Sequence, residues 1–307
     1  MTGAGRHRCL CRSRARRQAF NKWRTQFFAA LLQVTIYHNP MEYPIPYYLL
    51  ITMALALGAV VGSFINVVIA RLPAQMAGAA ESIAWPASRC PHCRAAIRWY
   101  DNIPVLSFAL LRRRCRACGE LISWRYPLVE TVLALLSLGL LLRLGPSLDY
   151  LIYFLFSAAL LAVFFIDYDH QLIPDVISLP GIGLGFAASF LLAEVDWVSS
   201  GLGILLGGGS FYLIALGYHL VTGRDGMGGG DIKLLAMLGA FLGWQALPFI
   251  ILASSVLGLV VGIGAMIRQG KGGQSVVPFG PFLIIAAWLW LFFPRQIDLL
   301  FQLLFVR

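Results

Sequence analysis

The sequence predicts an all-α membrane protein, a polytopic bundle of about eight transmembrane helices. Of the 307 residues, 59% are hydrophobic and only 12% are charged, and the mean hydropathy is +0.77. Soluble domains, in contrast, carry roughly 25% charged residues. Several apolar runs also approach the length of about 20 residues that a helix needs to cross the hydrocarbon core. Because these runs are continuous rather than alternating, they argue against transmembrane strands.

The apolar runs divide the chain into a predicted order of segments. A basic arm at 1–45 precedes the first predicted transmembrane helix at 46–70, a polar segment follows at 71–125, and the remaining helices fill 126–307. The further runs lie at 127–144, 148–166, 176–194, 199–221, 247–267 and 279–293, and a shorter run at 232–246 is the eighth candidate.

The basic arm conflicts with the predicted orientation. Segment 71–125 carries nine basic and three acidic residues, which places it in the cytoplasm by the positive-inside rule. Residues 1–24, with eight basic residues and no acid, would then lie outside. Either residues 27–37 form an interfacial or re-entrant segment, or translation starts at Met41 rather than Met1, which we prefer. Charged arms are commonly solvated, and no element that reads nucleic acid follows this one, so we do not expect nucleic acid as a partner; the lipid bilayer is expected around the apolar helices.

Two cysteine pairs within the polar segment predict a metal centre. Cys90 and Cys93 form one C-x2-C motif, and Cys115 and Cys118 form another. Two such pairs can supply four thiolates to a tetrahedral zinc ion. Redox-active cysteines and unpaired structural thiols are the alternatives, while disulfides are disfavoured by a reducing cytoplasm. Four protein ligands leave no open coordination position, so this zinc would be structural.

Two acidic loops predict the chemistry. The third predicted span ends in "FFIDYDHQLIPD" and the fifth in "GRDGMGGGDIK". The orientation puts both loops at the cytoplasmic rim, so Asp167 and Asp231 can face each other. Two carboxylates in a poorly hydrated site share one proton, which provides a general base for water and a general acid for a leaving amine. The glycines at 228–230 let the backbone come close to Asp231 or to a substrate.

Structural and transport roles for these acids stay open at this point. Interfacial carboxylates commonly cap helices or pair with nearby cations, and Lys233 lies two residues from Asp231. A phosphate-binding loop is disfavoured because no Gly-Lys-Ser/Thr follows the glycines. A proton-coupled transporter is the main alternative to a peptidase, although transporters usually hold their acids near the bilayer midplane and contain internal repeats.

Four motifs follow one another along the chain: "GSFINVVIARLP", the segment from "CPHC" through "NIPVLSF" and "CRAC" to "ISWRYPLVE", "DYDHQLIPD", and "GMGGGDIKLLAMLGAFLG". In this order they resemble the type IV prepilin peptidase family of membrane aspartic peptidases. The resemblance runs from about residue 41 to the end, so it identifies 126–307 as the transmembrane aspartic peptidase domain.

The resemblance implies an endopeptidase with Asp167 and Asp231 as the catalytic pair. It implies supporting roles for the residues around them: Asp169, Pro174, Asp175, Asp225, Gly228, Gly230 and Lys233. Its substrates would be prepilins or pseudopilins of type IV pili or type II secretion. The enzyme would cut their basic leaders after a glycine, at the cytoplasmic face of the bacterial inner membrane.

Many members of this family also methylate the new amino terminus with S-adenosylmethionine. Family members commonly read Leu-Arg-Gly before the third cysteine, whereas this chain has Leu111, Arg112 and Arg113. If the glycine position requires a positive φ or close contact with the methyl donor, Arg113 hinders it. The second activity is therefore an open expectation.

Overall fold

The computed structural model describes residues 46–79, 82, 83, 85, 87–223, 228–269 and 278–305. The basic arm, both alternative starts and Asp225 lie outside these residues. Residues 45–293 belong to one compact unit, which contains every side chain discussed below. The last helix, Pro294–Phe305, lies outside that unit.

The described residues are mainly helical, as predicted. The helices are α1 (Tyr47–Met76), α2 (Leu106–Leu110), α3 (Arg125–Leu144), α4 (Leu148–His170), α5 (Asp175–Ala188), α6 (Trp197–Thr222), α7 (Gly229–Leu242), α8 (Leu247–Gln269), α9 (Gly280–Phe292) and α10 (Pro294–Phe305). Short 3₁₀ turns precede α2 and α8. No strand occurs among the described residues; there are only two isolated bridges within the cysteine segment.

The number of helices long enough to cross a membrane is smaller than predicted. Helix covers most of each of the eight apolar runs, but among the described residues five helices have the required length and composition, or up to six when α9 is counted with the helix that follows it. Helices α5, α7 and α9 contain only 14, 14 and 13 residues. The run at 176–194 overestimates α5 because it also counts the apolar turn residues after Ala188. An apolar run in the sequence indicates that residues avoid water, but it does not show where a helix ends and an apolar turn begins.

The division of the chain at residues 45, 70 and 125 stays a prediction. Helix α1 continues as far as Met76, through Pro73, and α3 begins at Arg125. The connection between them contains the cysteine motifs and only short helical turns.

Helix α7 is closely packed on two sides, against the backbone of α6 and, through its side chains, against α5. A Cβ atom at Gly203 of α6 would lie 2.2 Å from the carbonyl oxygen of Gly239 in α7. On the α5 side, a Cβ atom at Gly181 would lie 2.6 Å from the sulfur of Met237. Small residues let membrane helices approach this closely without a hydrophobic driving force. These contacts hold α7, the helix whose first turn carries Asp231, against α5 and α6.

Helices α1 and α3 approach each other in the same way. A Cβ atom at Gly58 would lie 2.5 Å from the Cα of Ala134, and one at Gly62 would lie 2.7 Å from the Cα of Glu130. Helix α4 packs against both and is largely buried, including Tyr153, Leu160 and Ile166. The C-terminal end of this central helix carries Asp167.

We expect Gly203→Ala to destabilise the protein by about 1–3 kcal/mol, because its methyl group overlaps the Gly239 backbone, which cannot move aside as a side chain can. The measurement is the midpoint of thermal unfolding in detergent micelles. Gly209→Ala, on the same helix with open space around the glycine, is the matched control and should be neutral or slightly stabilising. Equal effects of the two substitutions would contradict the close α6–α7 contact.

Candidate active site and candidate metal centre

Asp167 lies in the last turn of α4 and is only 5% exposed. The helix ends at His170. Gln171 adopts a left-handed conformation (φ 53°), and its N–H donates to the Asp167 carbonyl oxygen at 2.8 Å. The chain then passes through buried Ile173 and Pro174 and begins α5 at Asp175. The chain thus turns between Asp167 and Asp175, as expected from Pro174, which disfavours helix in the residue before it.

Asp231 lies in the first turn of α7 and is half-buried. Its N–H donates to the Gly228 carbonyl oxygen at 3.2 Å. A Cβ atom at Gly228 would lie 3.7 Å from Oδ2 of Asp231. The charge of Asp167 acts on Asp231 by electrostatic repulsion. The structure therefore brings the two predicted acids, which are 64 residues apart in the sequence, into one electrostatically coupled pair.

Ile173 joins the two acidic loops. A Cβ atom at Gly230 would lie 2.9 Å from Cβ of Ile173, and one at Gly280 would lie 3.3 Å from its Cδ1. The first loop thus packs directly against the start of α7 and the start of α9. At Gly230 the close approach anticipated from the glycine-rich sequence is made to Ile173 of the other loop.

Gly280 is a residue of this site that the sequence analysis missed. A Cβ atom there would lie 2.5 Å from Oδ2 of Asp167, and the backbone N–H of Gly280 interacts with the same carboxyl group. Among the described residues, Oδ2 of Asp167 has no hydrogen-bond partner. The available signal was "PFGPF" at 278–282, where a glycine stands immediately before an apolar run.

The cations near the acidic loops pair with the supporting acids. Lys233 Nζ lies 2.8 Å from both carboxylate oxygens of Asp175, although its position in the sequence also suggested Asp231. Arg125, at the start of α3, pairs with Asp169. Among the described residues, no ion pair neutralises Asp167 or Asp231.

The four predicted cysteines form one cluster. Their sulfur atoms all lie within 4.8 Å of one another, and the Sγ atoms of Cys90 and Cys118 are 3.9 Å apart. Tetrahedral thiolate coordination at about 2.3 Å requires sulfur atoms about 3.8 Å apart. All four are free thiols. The residues therefore fit a divalent metal ion.

Each cysteine pair is held by the same backbone turn. The N–H of Arg94 donates to the Cys90 carbonyl oxygen at 2.9 Å, and the N–H of Gly119 donates to the Cys115 carbonyl oxygen at 2.9 Å. Arg94 and Gly119 occupy equivalent positions and both have positive φ, 59° and 73°. Each turn aims the two thiols of its pair at one point.

The surroundings of Cys115 and Cys118 shift the pKa values of these two thiols in opposite directions. Backbone N–H groups of Cys118 and Ala117 lower the pKa of Cys115 to about 6. At Cys118, a backbone hydrogen bond from Glu120 lowers the pKa, but desolvation and the neighbouring thiols outweigh it and raise the pKa to about 12. A bound divalent cation would favour the thiolate form of all four.

Arg113 adopts a left-handed backbone conformation. Its φ is 63°, in the left-handed region where a residue other than glycine costs about 1–3 kcal/mol. Its Nε donates to the Ile122 carbonyl oxygen at 3.1 Å, and its guanidinium lies 5.3 Å from the centre of the Trp124 ring. The positive φ anticipated at this position is present, and these contacts anchor the arginine there.

Comparisons with known proteins support a peptidase. The model of the Bacterial Peptidase A24 N-terminal domain matches residues 56–144, and that of the Type IV leader peptidase family matches residues 154–263. A "Prepilin leader peptidase/N-methyltransferase" of Pseudomonas putida is 41% identical over 256 residues, which cover 78% of this chain and 89% of that protein. Relatives with this name from Stutzerimonas stutzeri and Dichelobacter nodosus are 43% and 39% identical, and the alignments cover 80% and 78% of this chain and 91% of each relative. No solved structure matches, and the transporter alternative receives no support.

We expect the purified protein to contain about one tetrahedrally bound divalent metal ion per chain, and Cys118→Ser to lose most of it because three thiolates remain. Metal content is measured by inductively coupled plasma mass spectrometry. His92→Gln is the matched control, since His92 lies between Cys90 and Cys93 but outside the cluster of ligand atoms. Metal retained by Cys118→Ser, or lost from His92→Gln, would contradict the four-cysteine centre.

Proposed function

Because the chain belongs to the type IV leader peptidase family, we propose that Asp167 and Asp231 are the catalytic pair with which it removes the leaders of prepilins or pseudopilins. The observation that carries this assignment is the contact of Ile173 with both Gly230 and Gly280, because it packs the loop after Asp167 against the residue before Asp231. Asp167 is buried, and its Oδ2 has no hydrogen-bond partner among the described residues. The chain is a multi-pass protein of the bacterial inner membrane.

The proposed reaction uses one proton shared by the two carboxyl groups. The ionised carboxylate takes a proton from water as the water attacks the scissile carbonyl carbon, and the protonated partner donates its proton to the leaving amine. Two neighbouring carboxyl groups in a poorly hydrated site favour this singly protonated state, because both cannot ionise easily. The lack of a cation paired with either acid among the described residues supports the same state.

The supporting residues hold the loops without neutralising the pair. Lys233 bridges α7 to Asp175 at the start of α5, and Arg125 bridges α3 to Asp169. Pro174 separates α4 from α5, and the glycines at 228 and 230 allow the close approach of the second loop. These contacts support positioning roles for all of them.

We also propose that the site faces the cytoplasm. The basic segment 71–125 and the positive-inside rule support this orientation. The basic leader of a substrate would then reach the acids from the cytoplasm, while its apolar helix stays in the bilayer.

The cysteine centre is proposed to bind structural zinc. Four thiols at tetrahedral spacing support zinc, and a site with four protein ligands has no open position for catalysis. The names of the relatives support a second activity, N-methylation of the new terminus. S-adenosylmethionine would supply the methyl group. The anchored, left-handed Arg113 is compatible with it.

We expect Asp167→Asn and Asp231→Asn each to slow leader removal by at least about 100-fold, because each removes one partner of the acid–base pair. The measurement is a gel-shift assay of a prepilin in proteoliposomes. Asp169→Asn, which changes an acid paired with Arg125, is the matched control and should have a much smaller effect. Near-normal cutting by either of the first two variants would exclude the assignment, and no cutting by the wild type would favour a non-peptidase.

We expect Gly280→Ala to slow the same cut by roughly 10- to 100-fold, because a methyl group 2.5 Å from Oδ2 of Asp167 must displace the carboxyl group. Gly262→Ala in α8, where a Cβ atom meets nothing within 4 Å, is the control. The thermal midpoint is recorded alongside the rate, and unchanged cutting by a folded Gly280→Ala would show that this contact does not position Asp167.

A further inference from the structure

A buried carboxylate outside the proposed peptidase pair lies where α1 meets α3. Glu130, in the second turn of α3, is 7% exposed. Its Oε2 accepts a hydrogen bond from the backbone N–H of Val105 at 2.8 Å, and the Ser63 side chain also interacts with it. A carboxylate has about four acceptor positions, so these two donors leave capacity for another.

A second buried acceptor lies in the same helix contact. Asn66 is 3% exposed, and its Nδ2 donates to the carbonyl oxygens of Gly62 at 3.3 Å and Tyr126 at 3.1 Å. These two carbonyl groups fix the orientation of the amide, because only its nitrogen can donate to them. Oδ1 of Asn66 consequently has no hydrogen-bond partner among the described residues. Leaving a buried acceptor unpaired costs about 1–3 kcal/mol.

The two acceptors belong to one seam, which we call the α1–α3 seam and define by Gly62, Asn66, Tyr126 and Glu130. Gly62 packs on the backbone of Glu130, while Asn66 contacts Tyr126. Gly62 and Asn66 are four residues apart on α1, and Tyr126 and Glu130 are four residues apart on α3. The two contacts are therefore about one helical turn, or 5.4 Å, apart along the axis. The seam thus presents a carboxylate and an amide oxygen on adjacent turns.

The loop that Glu130 binds through the N–H of Val105 has a strained backbone at that residue. Val105 has φ 60°, which is unfavourable for a β-branched residue. Its N–H is bound by the carboxylate, while Val105 and Leu106 are exposed apolar side chains. A strained residue of this kind persists only where its surroundings fix it, and such residues concentrate at functional sites. Here the fixing group is Glu130 itself.

We propose that the α1–α3 seam binds a primary ammonium group, the new amino terminus of the cleaved substrate, through Glu130 and Asn66. An ammonium group has three donors and no acceptor, which complements a carboxylate beside an unpartnered amide oxygen. Glu130 takes one proton from the nitrogen and leaves a neutral amine with a free electron pair. Methylation requires that form of the amine, so the inference rests on the proposed second activity.

The position of the seam fits a product of the peptidase site. Tyr126 follows Arg125, and Arg125 pairs with Asp169, two residues beyond Asp167. The start of α3 therefore contributes both to the seam and to the ion pair beside the catalytic loop. A terminus released at Asp167 and Asp231 needs to move only between neighbouring helix ends to reach Glu130.

The test measures binding of a leaderless peptide to the full-length protein in nanodiscs, without a methyl donor. The peptide has the sequence of a mature prepilin amino terminus and carries either a free amine or an N-acetyl cap. We expect the wild type to bind the free amine at least about 10-fold more tightly, which corresponds to about 1.4 kcal/mol. Equal binding of the two peptides by the wild type would overturn the proposal without any variant.

Two substitutions at Glu130 separate charge from shape. Glu130→Gln keeps an acceptor for the Val105 N–H but removes the negative charge, and it should lose the preference for the free amine. Glu130→Asp keeps the charge and should retain part of that preference. Glu120→Gln, which changes an exposed acid of the cysteine segment, is the matched control and should bind like the wild type.

A preference for the free amine that survives in Glu130→Gln, or is lost in Glu120→Gln, would overturn the proposal. Thermal midpoints identify misfolded variants. If a variant is misfolded, the binding of the free-amine and N-acetyl peptides by the wild type still tests the proposal. The leaderless peptide bypasses the peptidase step, so a negative result here is independent of the assignment of Asp167 and Asp231. That assignment is tested separately by cutting of the intact precursor.

Discussion

The contact of Ile173 with Gly230 and Gly280 is the constraint on which the candidate active site depends. Neither glycine could carry a side chain there, because a Cβ atom would overlap Ile173 or Asp167. The contact joins the end of α4, the start of α7 and the start of α9, so three helix ends fix the positions of two acids. A less closely packed junction would let these carboxylates separate into water, where each would ionise independently.

Around this junction the cations pair with the more exposed acids and not with the proposed catalytic pair. The cations Lys233 and Arg125 pair with Asp175 and Asp169, which are more exposed than Asp167. Exposed pairs of this kind contribute little to stability, but they tie together helices that carry the two loops. The buried pair remains without a cation among the described residues and keeps the mutual repulsion that a shared proton relieves.

The cysteine segment and the α1–α3 seam place further chemistry next to the membrane. The backbone turns around Cys90 and Cys115 arrange the thiols for a metal, and the metal would stabilise a segment with few helices and no strand among its described residues. Glu130 then connects this segment to the membrane helices through Val105. Stabilising the segment would therefore also stabilise the strained loop above the seam.

The sequence by itself determined the all-helical class, the four cysteines that form one cluster and the choice of Asp167 and Asp231 as the proposed pair, because apolar run length and motif spacing are local properties. Only the tertiary structure decided which groups meet. Lys233 pairs with Asp175, Gly280 touches Asp167 from a helix more than 100 residues later, and three predicted spans are short helices. Hydropathy cannot distinguish a short buried helix from a membrane span, and a glycine shows its role only through the atom it faces. Side-chain partners across helices depend on packing geometry, which no local pattern encodes.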